Sequence, residues 1–324
     1  MTSPVFAAQP YSGIASFGRL PVGNAPEDWE VSIVGIPYDG SVSYRSGARF
    51  GPRAIREQSL LLWGYNNVQH VAPFKTLKVA DLGDIDVVPP DIVATHREIE
   101  RTASRIVAAG STMISLGGDH SISLPLLRAH AKKHGPVAVI HFDAHPDTWD
   151  SEYPGQPYSH GTPFRRAIEE SLIDTDRYVQ IGIRGPTNGP EDYEDATRLG
   201  ARMMTFDDFR RLGVEAVLNE IRSRIGDCPT YLTLDIDAVD PAYAPGTGTP
   251  EVGGFTSYEM LQLVRGLRGL NLVGFDLVEV SPPFDSSGIT AILAANLAFE
   301  FLSLIAWRKL HGKGDTSREG THFQ

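Results

Sequence analysis

The chain has 324 residues, 41% hydrophobic and 21% charged, with a formal net charge of −11. That is the make-up of an ordinary globular protein, and the negative balance argues against a sequence-independent grip on nucleic acid phosphates. Cys228 is the only cysteine, so no intrachain disulfide forms and the chain suits a reducing compartment.

Short β-branched runs alternate with helical patterns along the chain. The opening MTSPVFAAQPYSG lacks the basic start and apolar stretch of a signal peptide. Residues 1–30 read as an N-terminal extension. VSIVGIPYD from Val31 is the first strand, and GPRAIREQSLLLW from Gly51 is helix-like. LKVADLGDID from Leu77 precedes the helix DIVATHREIERTASRIVAAG; TMISLGGDH precedes LPLLRAHAKKHG; VAVIHFDAH precedes TPFRRAIEESL. RYVQIGIR, ARMMTFDDF, TYLTLDID and LNLVGFDLVEV complete the strands. Several are apolar throughout, as in a parallel sheet covered by helices on both faces.

ITAILAANLAFEFLSLIAW from Ile289 contains Asn296 and Glu300 and reads as a buried core helix, not one of the roughly 20-residue apolar runs that span a bilayer. With no linker, repeat or composition break, residues 31–311 form one α/β domain and 312–324 a polar, flexible tail. A soluble cytoplasmic protein without membrane contact is expected.

HFDAHPDTWD places His141, Asp143, His145 and Asp147 at every second position. In a strand those side chains share one face, and buried carboxylates are costly without a positive partner. GGDHS ends another strand and brings His120; DIDAVDP ends a third and brings Asp235 and Asp237. An Asp after a strand ordinarily caps a helix, and DxD alone is weak. Together, at the carboxyl ends where open parallel sheets bind ligands, two imidazoles and four carboxylates suit a first-row divalent ion. The set is rich enough for two ions sharing bridging carboxylates.

GGDHS, HFDAHPDTW and TLDIDAVDPAYAPGTGTPEVGG closely resemble the three signature regions of the ureohydrolases, the arginase and agmatinase family. The resemblance runs from about Val31 to the final helix. It implies a three-layer αβα fold with a central eight-stranded parallel sheet, assembled as a homotrimer or homohexamer. It also implies hydrolysis of a guanidino group to urea and an amine at two Mn²⁺ ions, with Ni²⁺ or Co²⁺ open alternatives. By resemblance, one ion is held by His120, Asp143, Asp147 and Asp235, and the other by Asp143, His145, Asp235 and Asp237. Asp143 and Asp235 then bridge.

A guanidinium is cationic and a poor electrophile, so the reaction needs an activated water, a carboxylate for the cation and a proton for the leaving amine. Glu279 in DLVEVSPPFD resembles the family glutamate that pairs with the guanidinium. His160 in SHGTPF matches the loop histidine that shuttles the proton, a role suited to its near-neutral ordinary pKa. Thr249 in PGTGTP resembles a residue that hydrogen-bonds that glutamate. His130 and His134 have helical metal-pair spacing but flank lysines, so a solvated helix face is expected. His141 is expected as core or a support to the ligands, and Arg184 as structural, neutralising a nearby carboxylate.

Arginases usually carry Asn where this chain has Trp149, and acids after the IGIR-like strand where it reads IRGPTNGP; both departures argue against arginine. Trp149 is placed to wall a pocket. An ammonium-ended substrate calls for a rim acid, with Asp150 and Glu152 available; a carboxylate-ended one calls for a cation, with Arg45 available. Agmatine, giving putrescine, is the favoured substrate over 4-guanidinobutyrate and its shorter homologue, a proclavaminate-type amidino compound and free guanidine. A catalytically silent subunit is the alternative class, against which the complete ligand set speaks. A one-zinc deacetylase-like amidohydrolase would leave His120 and Asp147 surplus.

Overall fold

Alternation along the strands decides the architecture. In Val31–Gly35 (β1), Ile33 enters one hydrophobic cluster and Val34 the other; Val139 and Ile140 divide likewise in Val137–Phe142 (β4), and Tyr231 and Leu232 in Thr230–Asp235 (β7). Each strand is therefore buried on both faces, as a parallel sheet between helical layers requires. The computed structural model describes residues 9–312.

The remaining strands are Val79–Asp84 (β2), Thr112–Leu116 (β3), Ile173–Ile183 (β5), Arg202–Thr205 (β6) and Leu272–Val278 (β8). All eight pair in parallel in the order β2-β1-β3-β8-β7-β4-β5-β6. Helices Gly51–Ser59, Val214–Ile225, Ser257–Gly266 and Ile289–His311 cover one face. Helices Ile92–Ala108, Ser123–His134 and Pro163–Glu169 cover the other. The expected three-layer αβα sandwich with eight strands is the observed one.

Ile289–His311 is long and apolar enough to cross a membrane by length and composition, the one such helix among the described residues. Its Leu297, Ala298 and Phe301 are fully buried in the core. Asn296 lies on its exposed side, and Glu300 is neutralised by Arg265 at 2.7 Å and by amides of Asn66 and Gln69. The helix is a core element, as its sequence suggested.

Part of the expected N-terminal extension is ordered against the domain. Phe17 is fully buried and its N–H donates to Asp81 Oδ2 at 2.8 Å, so this stretch packs onto the domain. Residues 1–8 and 313–324 lie outside the described residues, and the flexible-tail expectation falls there apart from Gly312.

Two further expectations are corrected. β4 stops at Phe142, so Asp143 to Asp147 form a loop, with Asp147 at φ 49°. The convergence of these side chains comes from the loop, not from strand alternation. Asp237 likewise lies in the single helical turn Ile236–Ala238, beyond the strand that ends at Asp235.

The sheet order brings β3, β8, β7 and β4 side by side at its centre. Their carboxyl ends carry His120, Glu279, Asp235 and Asp143 respectively. One residue row beneath these ends is polar throughout. Ser115, Asp276, Thr233, His141 and Gln180 are register partners across β3, β8, β7, β4 and β5, and all five are fully buried.

Candidate metal centre

The loop after β3 passes so close to the loop after β1 that a Cβ on Gly118 would lie 1.7 Å from Tyr38 O; only glycine fits. His120 then opens a helical turn capped by Asp119, whose carboxylate accepts from Ser121 N at 3.0 Å. Its ring points toward the sheet centre. Nδ1 lies 2.9 Å from Asp147 Oδ2, 3.1 Å from Asp143 Oδ2 and 3.3 Å from Asp235 Oδ2, and makes no directed hydrogen bond to any of them. Beside it, His145 Nδ1 lies 3.1 Å from Asp237 Oδ2 and 3.6 Å from Asp143 Oδ1.

All six residues expected as ligands thus meet in one place. His120, His141, Asp143 and Asp147 form one close group of donor atoms and Asp143, His145 and Asp237 a second, so Asp143 belongs to both. His141 was not expected as a ligand, and its Nε2 is engaged as a donor to Asp143 Oδ2 at 2.7 Å while Nδ1 faces Tyr178 OH at 3.0 Å. It holds Asp143 in place, matching the supporting role expected of it.

No Lys or Arg pairs with these four carboxylates among the described residues, although each is at most 6% exposed. Burial and the neighbouring Asp237 and Asp143 push Asp235 well above the ordinary carboxylate range. Burial and Asp143 push Asp147 up to about 7. Burial acts against charge on His120 and His145 too, but their carboxylate neighbours hold both imidazoliums well above the usual value. Protons collect on Asp147, Asp235 and the two imidazoles because no Lys or Arg among the described residues pairs with these acids. At Asp143 burial is overcome by contacts with His120 and His141, which hold it well below the ordinary range. A divalent ion would displace the protons, and the N/O donors suit a first-row metal.

Glu279 follows β8 at φ 63°, a left-handed conformation costly for a residue other than glycine. Its Oε1 accepts from His120 N at 2.9 Å and His160 Nδ1 at 3.0 Å. Among the described residues nothing donates to Oε2, though it is buried. An unsatisfied buried carboxylate oxygen is costly and suits an incoming N–H.

His160 is held from both sides. Its Nε2 lies 3.0 Å from Ser43 N, which donates to a neutral ring, and 2.9 Å from Ser43 Oγ, which accepts from a protonated one. Ser43 therefore serves both protonation states. Burial opposes the imidazolium, but Glu279 outweighs it and the value is pushed up to about 10.

A cavity of about 150 Å³ opens over these groups, with His145, Asp147 and Asp235 in its floor and Trp149, Glu152, His160 and Thr249 in its walls. Trp149 is a pocket wall as expected, and its Nε1 is buried without an acceptor among the described residues. Thr249 is close by, but its hydroxyl lies 3.4 Å from Asp237 Oδ2, not on Glu279 as the resemblance implied. Asp150 does not line the cavity: it is exposed and bound to Arg166 at 2.6 Å. Glu152 accepts from Ser159 Oγ and from Gly161 N. Arg45 makes no ion pair among the described residues and stacks over Phe284 at 4.9 Å.

Arg184 neutralises no carboxylate by contact among the described residues. It donates to the carbonyls of Gly182, Asp237, Ala238, Glu251 and Val252, tying the loop that carries Asp237 to β5. His130 is not on a solvated face: it is 1% exposed, with Nδ1 on Leu126 O at 2.8 Å and its ring against Tyr231. The helix Ser123–His134 turns it toward the sheet while Lys132 and Lys133 face out. Sequence reasoning missed Ser43 and the polar row beneath the site; SVSYRSG carries no signal that sets Ser43 apart. A larger cavity, about 520 Å³, lies at the amino ends of β3 and β8, away from every group described above.

The chain matches the arginase family over residues 29–303. It is 49% identical to a guanidinopropionase of Pseudomonas aeruginosa, over 91% of this chain and 93% of that one. It is 46% identical to the mitochondrial agmatinase of Gallus gallus, over 94% and 88%. The solved structure of the proclavaminate amidino hydrolase from Streptomyces clavuligerus superposes with a TM-score of 0.88 at 45% identity, covering 92% of this chain and 98% of that one. Matched along nearly its whole length in sequence and in fold, this chain is a member of the arginase family.

Proposed function

We propose that the chain hydrolyses a small guanidino compound to urea and an amine at a centre of two divalent cations, with Mn²⁺ the first choice. The observation that carries this reading is the conjunction of four buried carboxylates that no Lys or Arg pairs with among the described residues and a buried Glu279 oxygen that accepts no hydrogen bond among them. His120, Asp143, Asp147 and Asp235 would hold one ion and Asp143, His145, Asp235 and Asp237 the other. When bound, the ions supply Lewis acidity that makes water nucleophilic at neutral pH.

The chain's own groups do the rest. Glu279 Oε2 accepts an N–H of the planar guanidinium, fixing the cation in the cavity through a charge-assisted hydrogen bond. Its other oxygen keeps His160 oriented. His160, charged at neutral pH by that contact, gives a proton to the departing amine nitrogen and is refilled through Nε2, where Ser43 steadies both states. Trp149 walls the cavity against bulk water.

A short ω-guanidino acid is the substrate these surroundings suit best. Asp150, one of two acids available for an ammonium tail, is neutralised by Arg166. Trp149 offers an N–H without an acceptor and Arg45 has no acidic partner among the described residues. Agmatine is the second reading, favoured by Glu152 in the cavity wall. We further propose a cytoplasmic homo-oligomer, trimeric or hexameric, following the family resemblance.

Urea release by Mn²⁺-loaded protein across 3-guanidinopropionate, 4-guanidinobutyrate, agmatine, arginine and guanidine, repeated with Ni²⁺, tests these assignments. Urea from a guanidino acid well above the rest is expected. Preference for agmatine would transfer the tail contact to Glu152. No urea from any of them, with two metals bound per chain, would sink the catalytic reading.

A further inference from the structure

We propose that buried Asp276 and Thr233 fix the tautomer of His120, leaving its Nδ1 bare for a metal ion. The inference rests on the reading of His120 as a ligand and concerns how the sheet beneath prepares it.

The proton count leaves one arrangement. Asp276 is fully buried and, as a carboxylate, can only accept. Ser123 Oγ and Tyr231 OH both donate to its Oδ2, at 2.7 and 2.8 Å. Thr233 Oγ1 donates to its Oδ1 at 2.5 Å. A hydroxyl has one proton, and that of Thr233 is thereby committed. Thr233 Oγ1 also lies 2.9 Å from His120 Nε2, and toward that atom it has only lone pairs to offer. His120 must therefore donate from Nε2–H, and in the neutral ring Nδ1 is the nitrogen without a proton. Nδ1 is the atom facing Asp143, Asp147 and Asp235.

Register makes the chain of contacts possible. Asp276 and Thr233 are direct partners across β8 and β7, so their side chains stand on the same face one strand spacing apart. A metal-bound histidine is ordinarily oriented by a carboxylate or carbonyl on its other nitrogen. Here a hydroxyl is interposed, and the carboxylate acts through it. Thr233 and Asp276 are positioning residues, since neither faces the cavity.

The decisive substitution is Asp276→Asn, which keeps volume but brings an amide donor. Two hydroxyl donors face one end of the side chain, so its carbonyl turns toward Ser123 and Tyr231 and its NH₂ toward Thr233. Thr233 then accepts from Asn and its proton swings to His120 Nε2. Nδ1 becomes the protonated nitrogen, pointing at the metal position.

The experiment is equilibrium Mn²⁺ binding to the metal-stripped full chain, for wild type, Thr233→Ser, Thr233→Val, Asp276→Asn and the Val/Asn double variant. Wild type and Thr233→Ser should bind two ions alike. Thr233→Val should weaken one of the two by about 10–100-fold, and Asp276→Asn by at least as much. The double variant should be no worse than Thr233→Val alone, because Asp276 has no route to His120 once the hydroxyl is gone. Any purely structural damage shows instead in the melting temperature of the stripped protein and adds in the double variant. Unchanged affinities in both single variants, or additive losses in the double, overturn the relay while wild type still binds two ions. A wild-type chain that takes up no ion overturns the proposed function itself, and the relay with it.

Discussion

Two groups of buried acids sit on the same sheet, and they are neutralised in opposite ways. On β2, Asp81 is 2% exposed and receives both arms of Arg56, Nε at 2.8 Å and Nη2 at 2.9 Å, with Asp84 at the exposed end of the strand taking a third donor. At the carboxyl ends of β4 and β7, Asp143, Asp147, Asp235 and Asp237 are as deeply buried and meet no arginine or lysine among the described residues. The basic side chains in contact with them, among the described residues, are His120, His141 and His145. The first group carries a permanent counter-charge in the chain and is complete on folding. The second has only imidazoles and shared protons to offset four acids, and a divalent cation can displace those protons.

The contrast breaks most sharply at His145. His145→Ala removes a nitrogen that no other side chain can supply, and should cost metal at one position and nearly all turnover. Losing several kcal/mol of Lewis-acid stabilisation corresponds to about a thousandfold or more in kcat/KM. Metal content by mass spectrometry and urea release measure it together; full metal content with full activity would remove His145 from the centre.

The same operation on the other acid group should have the reverse signature. Arg56→Met leaves Asp81 buried without its partner, which costs about 3–5 kcal/mol of stability. Denaturant unfolding should register that loss, while metal content per chain and kcat stay at wild-type values. A change in metal content in this variant would mean that the two groups are not independent.

Glu279→Gln sharpens the contrast within the site itself. Glu279 belongs to neither ion in the proposed assignment, so both metals should remain. The amide no longer carries charge for the guanidinium, and breaking one partner of a buried charged pair costs about 2–5 kcal/mol, so kcat/KM should fall about a hundredfold. Unaltered kcat/KM would exclude Glu279 from guanidinium binding.

What the sequence disclosed follows the same division. The six ligand positions stood out because acids and histidines interrupt apolar strand ends, where a carboxylate has no ordinary reason to be. The strands themselves were legible for the same reason: most carry a short, largely apolar run, as in Val31–Gly35 and Val137–Phe142, set between helical patterns. The polar row of Ser115, Asp276, Thr233, His141 and Gln180 was not legible. Each strand contributes one polar residue, indistinguishable from any satisfied buried side chain, and only the register, a non-local property, lines them up. Asp150 and Thr249 went astray because loop side chains choose between neighbours that the sequence does not order: Asp150 found Arg166, and Thr249 turned toward Asp237. His130 was misread because its flanking lysines described the outer side of the helix, while the ring lay on the inner.

His130 also gives the comparison its mildest test, since it is a buried histidine with no acid around it. Burial, which outweighs its contact with Leu126, pushes its value down to about 4, whereas the carboxylates around His120 and His145 drive theirs up. In the native protein His130 stays neutral until the pH approaches 4, while in the unfolded chain it takes up a proton below its ordinary value of 6.5. The unfolded state therefore binds more protons between these limits, and stability falls as pH drops through that window. Above pH 6.5 the contribution is complete; at pH 5 about 2 kcal/mol of it is lost, at 1.36 kcal/mol per pH unit. His130→Phe removes the proton from both states. Whatever the substitution does to packing against Tyr231, the stability gap between variant and wild type should shift by about 2 kcal/mol in the variant's favour from pH 7 to pH 5. Urea unfolding of metal-stripped protein at the two pH values measures that shift. A gap that stays constant would mean that His130 is already protonated in the folded chain, and that an acid or a water reaches it from the amino-terminal side of the sheet.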